Sequence, residues 1–244
     1  MRFKLISCEV LLREVALCAA SSPHVIDLVF LPKTLHDQPR QMTRVLQEEI
    51  DRTDPAQDEA VVLGYGLCSR GTAGLRARQV PLVIPRCHDC ISLFLGSRSE
   101  YARLFREQPG TYYFTAGWIE RGGAETLRLP DAEEGGVRSL EEYVEKYGED
   151  NGRFLWEFEN QWQKHYTTAA YVNMPLVSSP AVREAAQQAA AQYDWQFQEL
   201  PGSDRLFRAM CAGDWNADDF LTVPPGWEIA QATDDSVLKA VEPL

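Results

Sequence analysis

Positive charge is scarce in this chain. Lys and Arg number 24 against 36 Asp and Glu, a formal net charge of −12. That balance argues against a nucleic-acid backbone or an anionic membrane surface as the main partner, since both are held chiefly by cations. Long apolar runs are absent as well, and no stretch approaches the roughly 20 residues needed to cross a bilayer. There is no G-x-S-x-G elbow and no H-E-x-x-H helix, so neither a serine hydrolase nor a zinc protease is supported. The glycines of residues 63–75 match neither a P-loop nor a dinucleotide fingerprint. Six cysteines in 244 residues is too sparse for a secreted disulfide scaffold. The opening MRFKLISCEV reads as a first strand and not as a signal peptide, so the expected compartment is a reducing cytoplasm. There, cysteine serves packing, metal ligation or redox chemistry.

What is present is an alternation of strand and helix patterns. Residues 3–10, 25–32, 60–66 and 80–85 read as strands, the third almost wholly apolar as in a buried parallel strand. Residues 11–22 and 41–53 have helical spacing, and 67–79 read as a glycine-bearing turn and short helix. Residues 89–108 read as helix with a break at Gly96. After a strand-like 111–118 comes a polar, acidic loop that includes residues 131–134. A long helical region follows, opened by a capping box from Ser139 to Glu142 and broken near Gly148 to Gly152. Alternation resumes with strands at 169–175 and 195–201, helices at 179–194 and 203–213, and a final strand and turn at 219–229. The expected fold class is α/β: one or more mostly parallel, Rossmann-like sheets with flanking helices, arranged either as two lobes around a cleft or as a single sheet with a helical insertion. The expected division is an α/β lobe over 1–118, a loop and helical insertion over 119–170, and a C-terminal α/β part over 171–244 packing on the first.

Three cysteines fall where strands end: Cys8, Cys68 and Cys90. Carboxyl ends of neighbouring parallel strands converge on one crevice, so these thiols are the candidate metal ligands. Cys90 closes R-C-H-D-C, residues 86–90, between a strand and a helix, where a helix N-terminus lowers thiol pKa. His88 is a candidate fourth ligand. The same motif also reads as a redox dithiol of Cys87 and Cys90, or as a turn that merely packs. Glu9, following Cys8, and His36 and Asp37, at the end of the second strand, are candidate catalytic groups on the same rim. Tyr65, Arg70 and Arg86 are candidate substrate-binding residues, the arginines for an anionic group. Cys18 and Cys211 read as helix packing.

Four blocks taken together resemble a known family: CEVLLRE (8–14), LPKTLHD (31–37), LGYGLCS (63–69) with Gly71, and IPR-HDC (84–90) followed by ISLFLGS. The late GDWNADDFLTVPPG resembles that family's ending. The family is catalogued as domain of unknown function sixteen-thirty-eight, from anaerobic bacteria and archaea. The resemblance implies that Cys8, Cys68, His88 and Cys90 are motif positions, along with His36, Asp37, Arg70, Arg86 and Asp89. Cys87 and Cys211 fall outside the motif. This favours a three-cysteine site over the dithiol. Relatives often lie beside genes for corrinoid-dependent methyl transfer. The implied function is a metal-binding protein of one-carbon metabolism acting on a small anionic molecule. Its cofactor would be an iron–sulfur cluster or zinc, and its partner a corrinoid protein or methyltransferase. The alternatives are a thiol-redox protein using Cys87 and Cys90, and a non-catalytic module that binds a corrinoid or a protein.

Overall fold

The computed structural model describes residues 1–123, 140–160 and 164–243. The chain begins β1 (Arg2–Cys8), α1 (Leu12–Ala20), β2 (Val25–Leu31), α2 (Pro39–Asp51), β3 (Val61–Gly64), β4 (Leu82–Pro85), α3 (Ile91–Phe94) and α4 (Arg98–Glu107). It continues with β5 (Thr111–Phe114), the one-turn α5 (Ala116–Trp118), α6 (Leu140–Tyr147), α7 (Glu149–Asn160), β6 (Thr168–Asn173) and α8 (Pro180–Tyr193). It ends with β7 (Gln196–Pro201), α9 (Arg205–Ala212), β8 (Phe220–Val223), β9 (Glu228–Gln231) and β10 (Leu238–Val241). Ser139 of the expected capping box and the acidic run at 131–134 lie outside the described residues. Among the described residues, no helix is long and apolar enough to cross a membrane.

The fold is mixed α/β with mostly parallel, Rossmann-like strand pairing, in two compact units. The first comprises Met1–Ala102, Met174–Val177 and Pro201–Leu244. Its five-stranded sheet has the order β2-β1-β3-β4-β8, parallel except for β8, which runs antiparallel to β4. All four residues of β3 and of β4 are buried, as strands covered on both faces require. The edge strand β2 is more exposed, and its Asp27 is held by the Arg2 guanidinium at 2.8 and 3.0 Å. α2 begins with Pro39 at its first turn, where a missing N–H costs nothing. It buries Met42, Leu46 and Ile50, one helical face. Buried Lys4 of β1 ties this helix to the sheet, donating from Nζ to the Glu49 carbonyl at 2.7 Å and pairing with its carboxylate at 3.3 Å. α1 packs on α9, and Cys18 and Cys211 are buried core residues there, the Cys211 sulfur 3.9 Å from the Val15 carbonyl.

Two local expectations need correction. No helix forms between β3 and β4. Cys68, Ser69 and Arg70 are consecutive left-handed residues, with φ of +46°, +54° and +70°, a conformation from which a right-handed helix cannot start. Beyond them the backbone is committed elsewhere. Gly74 N–H donates to the Ile229 carbonyl at 2.7 Å, Ile229 N–H to Leu75 at 2.8 Å, and Ala77 N–H to Trp227 at 2.9 Å. Nor does the chain finish on one strand, because β9 and β10 form an antiparallel hairpin after β8. The break at Gly96 is present between α3 and α4, with φ of +71°.

The second unit comprises Arg103–Asn173 and Ser178–Leu200. β6 lies between β5 and β7, with β5 and β6 parallel. α8 starts at an N-cap, Ser179, whose hydroxyl accepts the Val182 N–H at 3.4 Å, and Pro180 follows. Tyr112, Tyr166, Tyr193 and Trp195 pack as an aromatic cluster with centroids 4.9 to 6.0 Å apart. α6 and α7 are separated at Gly148, whose φ is +81°.

Candidate thiol site at the carboxyl ends of the strands

The strand order places a topological switch point in the first unit. From β1 the chain crosses to β2 on one side, then returns to β3 on the other side of β1. In open α/β sheets a ligand crevice lies outside the carboxyl ends at such a point. Cys8 is the last residue of β1, and Ser7 beside it is in register with Gly64, the last of β3. Tyr65 to Cys68 follow β3 directly, and Cys87 to Cys90 follow β4. Thiols remote in sequence are thereby carried to one rim.

The two loops that bear Cys68 and Cys90 are stitched together. Leu67 N–H donates to the Cys87 carbonyl and Cys68 N–H to the His88 carbonyl, both at 2.8 Å. Gly66 permits this approach. A Cβ there would stand 2.7 Å from the Cys87 carbonyl oxygen and 2.9 Å from its sulfur. All six cysteines are free thiols, and Cys90 is the only one not fully buried.

Burial sets the electrostatics of the rim. It pushes the Cys8 thiol up to about 11, an effect that a backbone hydrogen bond from Val10 reduces. It raises Cys68, Cys87 and Cys90 well above the usual thiol range. The lowering expected at Cys90 from a helix N-terminus is thus overturned: α3 has only four residues, and desolvation outweighs any field so short a helix carries. Cys68 and Cys8 both act on Cys90, and Cys68 feels Cys87 first and Cys8 less. They are not drawn into one tight cage. Among the described residues, no three His, Cys, Asp or Glu side chains group closely enough to hold a single metal ion.

The other candidates divide. Tyr65 is 1 % exposed, and Cys8, Cys68 and Glu9 all act on its hydroxyl, which burial holds far from ionising. The His36 ring lies 6.1 Å from the Tyr65 ring, tilted 31°. Burial lowers the His36 pKa, against the opposing charges of Asp37 and Asp89. Glu9 accepts the Lys33 N–H at 2.9 Å, linking the ends of β1 and β2. Glu9, His36 and Tyr65 therefore belong to the rim with the three thiols, and Asp37, though exposed, faces His36.

His88, expected as a metal ligand, is exposed, and it is its backbone carbonyl that engages Cys68. Arg70 is also exposed. Arg86, expected to hold an anionic substrate, is committed to structure. Its Nε donates to the Ala217 and Phe220 carbonyls at 2.9 and 3.3 Å, and its Nη1 to Leu238 and Ser236 at 2.5 and 3.3 Å.

Several groups carried no signal in the sequence. Tyr101, on α4, donates its hydroxyl to Asp89 Oδ2 at 2.9 Å, while Ile91 N–H donates to Oδ1 at 3.0 Å. Burial nevertheless raises the Asp89 pKa, the Tyr101 bond opposing it. Ser92 Oγ and Arg98 Nη1 are buried without a hydrogen-bond partner among the described residues, and the Arg98 charge acts on Cys87. These contacts depend on side chains brought in from other elements, and no local motif announces them.

No curated protein and no solved structure matches the chain. A family model does match, over residues 30–211, a span that contains His36, Tyr65, Cys68 and Cys90 and starts after Cys8. By that match the chain belongs to the family described as Protein of unknown function (DUF1638).

Proposed function

We propose that Cys8, Cys68 and Cys90 hold an iron–sulfur cluster at the switch point of the five-stranded sheet, with one iron left open to a small ligand. The observation that carries this reading is the convergence of three strand-end thiols, on loops joined by backbone hydrogen bonds, that do not close into a single-ion cage. Sulfurs around one tetrahedral zinc, each about 2.3 Å from the metal, stand about 3.8 Å apart. A cluster inserts its own iron and sulfide framework between its thiolates, so they stand further apart. Three thiolates are one fewer than a cubane's four irons take, which leaves one iron for an outside ligand. Glu9 and His36, on the same rim, would supply groups able to hold or move a proton beside it. The setting in corrinoid-linked methyl metabolism is carried over from the family resemblance, and so are a corrinoid protein or methyltransferase as partner.

The test is anaerobic purification followed by iron and acid-labile sulfide analysis and visible spectroscopy. The expected result is a brown protein with iron and sulfide in cluster proportion, lost in each of Cys8→Ser, Cys68→Ser and Cys90→Ser but kept in Cys87→Ser. A wild-type protein with neither iron nor sulfide sinks the reading. Loss of the cluster in Cys87→Ser equal to that in Cys68→Ser would favour the Cys87–Cys90 pair as the unit of function.

A further inference from the structure

The first unit holds a cavity at the end of its sheet opposite the thiol rim. It measures about 480 Å³ and lies where α2 ends and where the chain enters β4. Ile50 and Ala77, each 2 % exposed, line it together with Pro55 and Val80. Gly226 leaves one side open, since a Cβ there would meet nothing within 4 Å. The surrounding segments are tied together by hydrogen bonds that do not close the space. Ala77 N–H donates to the Trp227 carbonyl at 2.9 Å, and Gly226 N–H to the Ala77 carbonyl at 3.0 Å. Gln47 of α2 accepts the Arg76 N–H at 2.8 Å and donates to Asp51 Oδ1 at 2.7 Å. Arg78 joins the segment before β4 to the last residue of α2. Its Nε donates to Asp51 Oδ1 at 2.7 Å and its Nη2 to Oδ2 at 3.1 Å. The cavity is therefore preformed, and its volume falls among those of small-molecule sites.

The Asp51–Arg78 pair restricts what enters. Both side chains line the cavity, 45 % and 48 % exposed. Two parallel bonds hold their charges side by side, so the two fields nearly cancel for a third charge nearby. An anion meets the carboxylate with the guanidinium, and a cation meets the guanidinium with the carboxylate. What remains on offer is hydrogen bonding and apolar surface. Asp51 Oδ1 already accepts from both Arg78 and Gln47. Arg78 Nη1 and the Gln79 side-chain amide have no partner among the described residues. Donors are thus in surplus, and the fixed guanidinium plane is a surface on which a flat ring can stack.

We propose that this cavity is a second binding site, for a small uncharged molecule that carries an apolar ring and a carbonyl-type acceptor. The ring lies against Ile50, Ala77 and the Arg78 guanidinium, and the acceptor is received by Arg78 Nη1 or the Gln79 amide. The site is separate from the thiol rim and does not depend on a cluster there. Its test uses benzamide, benzoate and benzamidine, one ring in three charge states. Each is titrated into the isotope-labelled, reduced full chain, wild type and Asp51→Asn, and followed by amide NMR shifts. Benzamide is expected to bind the wild type at millimolar concentration, more tightly than either ion, and to shift the amides of residues 50–54 and 77–80. In Asp51→Asn the guanidinium loses its counter-charge. Benzoate should then bind roughly two- to fivefold more tightly than it binds the wild type, the worth of an exposed ion pair. No benzamide shift at these residues overturns the proposal. So does benzoate or benzamidine matching benzamide in the wild type, or benzoate affinity that Asp51→Asn leaves unchanged. Should Asp51→Asn fail to fold, the order of the three ligands on the wild type still decides.

Discussion

Replacing Tyr65 by Phe should stabilise the ligand-free protein, against the usual direction for a change at a buried residue. Its hydroxyl is buried without a partner among the described residues. An unsatisfied buried polar group costs about 1–3 kcal/mol of desolvation, and a phenyl ring keeps the rest of the side chain's packing. Removal of the oxygen leaves only a small void, which takes back part of that gain. A net stabilisation of about 1 kcal/mol is expected. For a chain of this size that corresponds to a rise of roughly 2–4 °C in midpoint temperature. With a urea slope near 3 kcal/mol/M it is roughly 0.3 M in midpoint. Tyr101 supplies the opposite case. Its hydroxyl donates at 2.9 Å to the half-buried Asp89 carboxyl, so Tyr101→Phe strands an acceptor and should destabilise by about 1.5–3 kcal/mol. The assay is urea and thermal unfolding of the reduced, metal-free chain for wild type and both variants. If Tyr65→Phe lowers the midpoint by as much as Tyr101→Phe does, the hydroxyl is paired in the folded protein.

Three further outcomes are expected. Because burial lowers the folded-state pKa of His36 below its ordinary value, the unfolded chain binds more protons between the two values. Stability should therefore fall as the pH drops below about 6.5, and urea midpoints measured from pH 5 to 7.5 should lose that slope in His36→Gln. Arg86→Lys should destabilise by about 2–4 kcal/mol in urea unfolding, because one ammonium cannot span the carbonyls of Ala217, Phe220, Ser236 and Leu238 that the guanidinium joins. Unchanged stability would return Arg86 to the list of free cations. Gly66→Ala should cost about 1–3 kcal/mol from overpacking against Cys87, and should reduce iron content by pushing the loops of Cys68 and Cys90 apart, both checked on one anaerobic preparation.

Much of the fold was legible because strands covered on both faces must be apolar throughout. Residues 61–64 and 82–85 can be little else, and a parallel alternation then fixes which strand ends share a rim. That is why Cys8, Cys68 and Cys90 could be grouped although 60 and 22 residues separate them in sequence. Where the reading of 67–79 as a turn and short helix failed in its helix, the decisive facts were not local. Nothing in Cys-Ser-Arg requires three left-handed residues, and the strand that captures the backbone of 74–77 lies some 150 residues downstream. Arg86 misled for the same reason, since an arginine beside a cysteine motif looks free until the carbonyls of 217–238 are in place.

The role of Tyr65 was the least legible, and for a different reason. A tyrosine after a buried strand gives the same pattern whether its hydroxyl is paired or not, because pairing is decided by which acceptors the fold withholds. On these loops several acceptors are already engaged: Asp89 by Tyr101 and Ile91, Glu9 by Lys33, and the Cys87 and His88 carbonyls by Leu67 and Cys68. The bonds that join the loops of Cys68 and Cys90 come from residues set by two different strands, so no local pattern around Tyr65 shows that its hydroxyl lacks one.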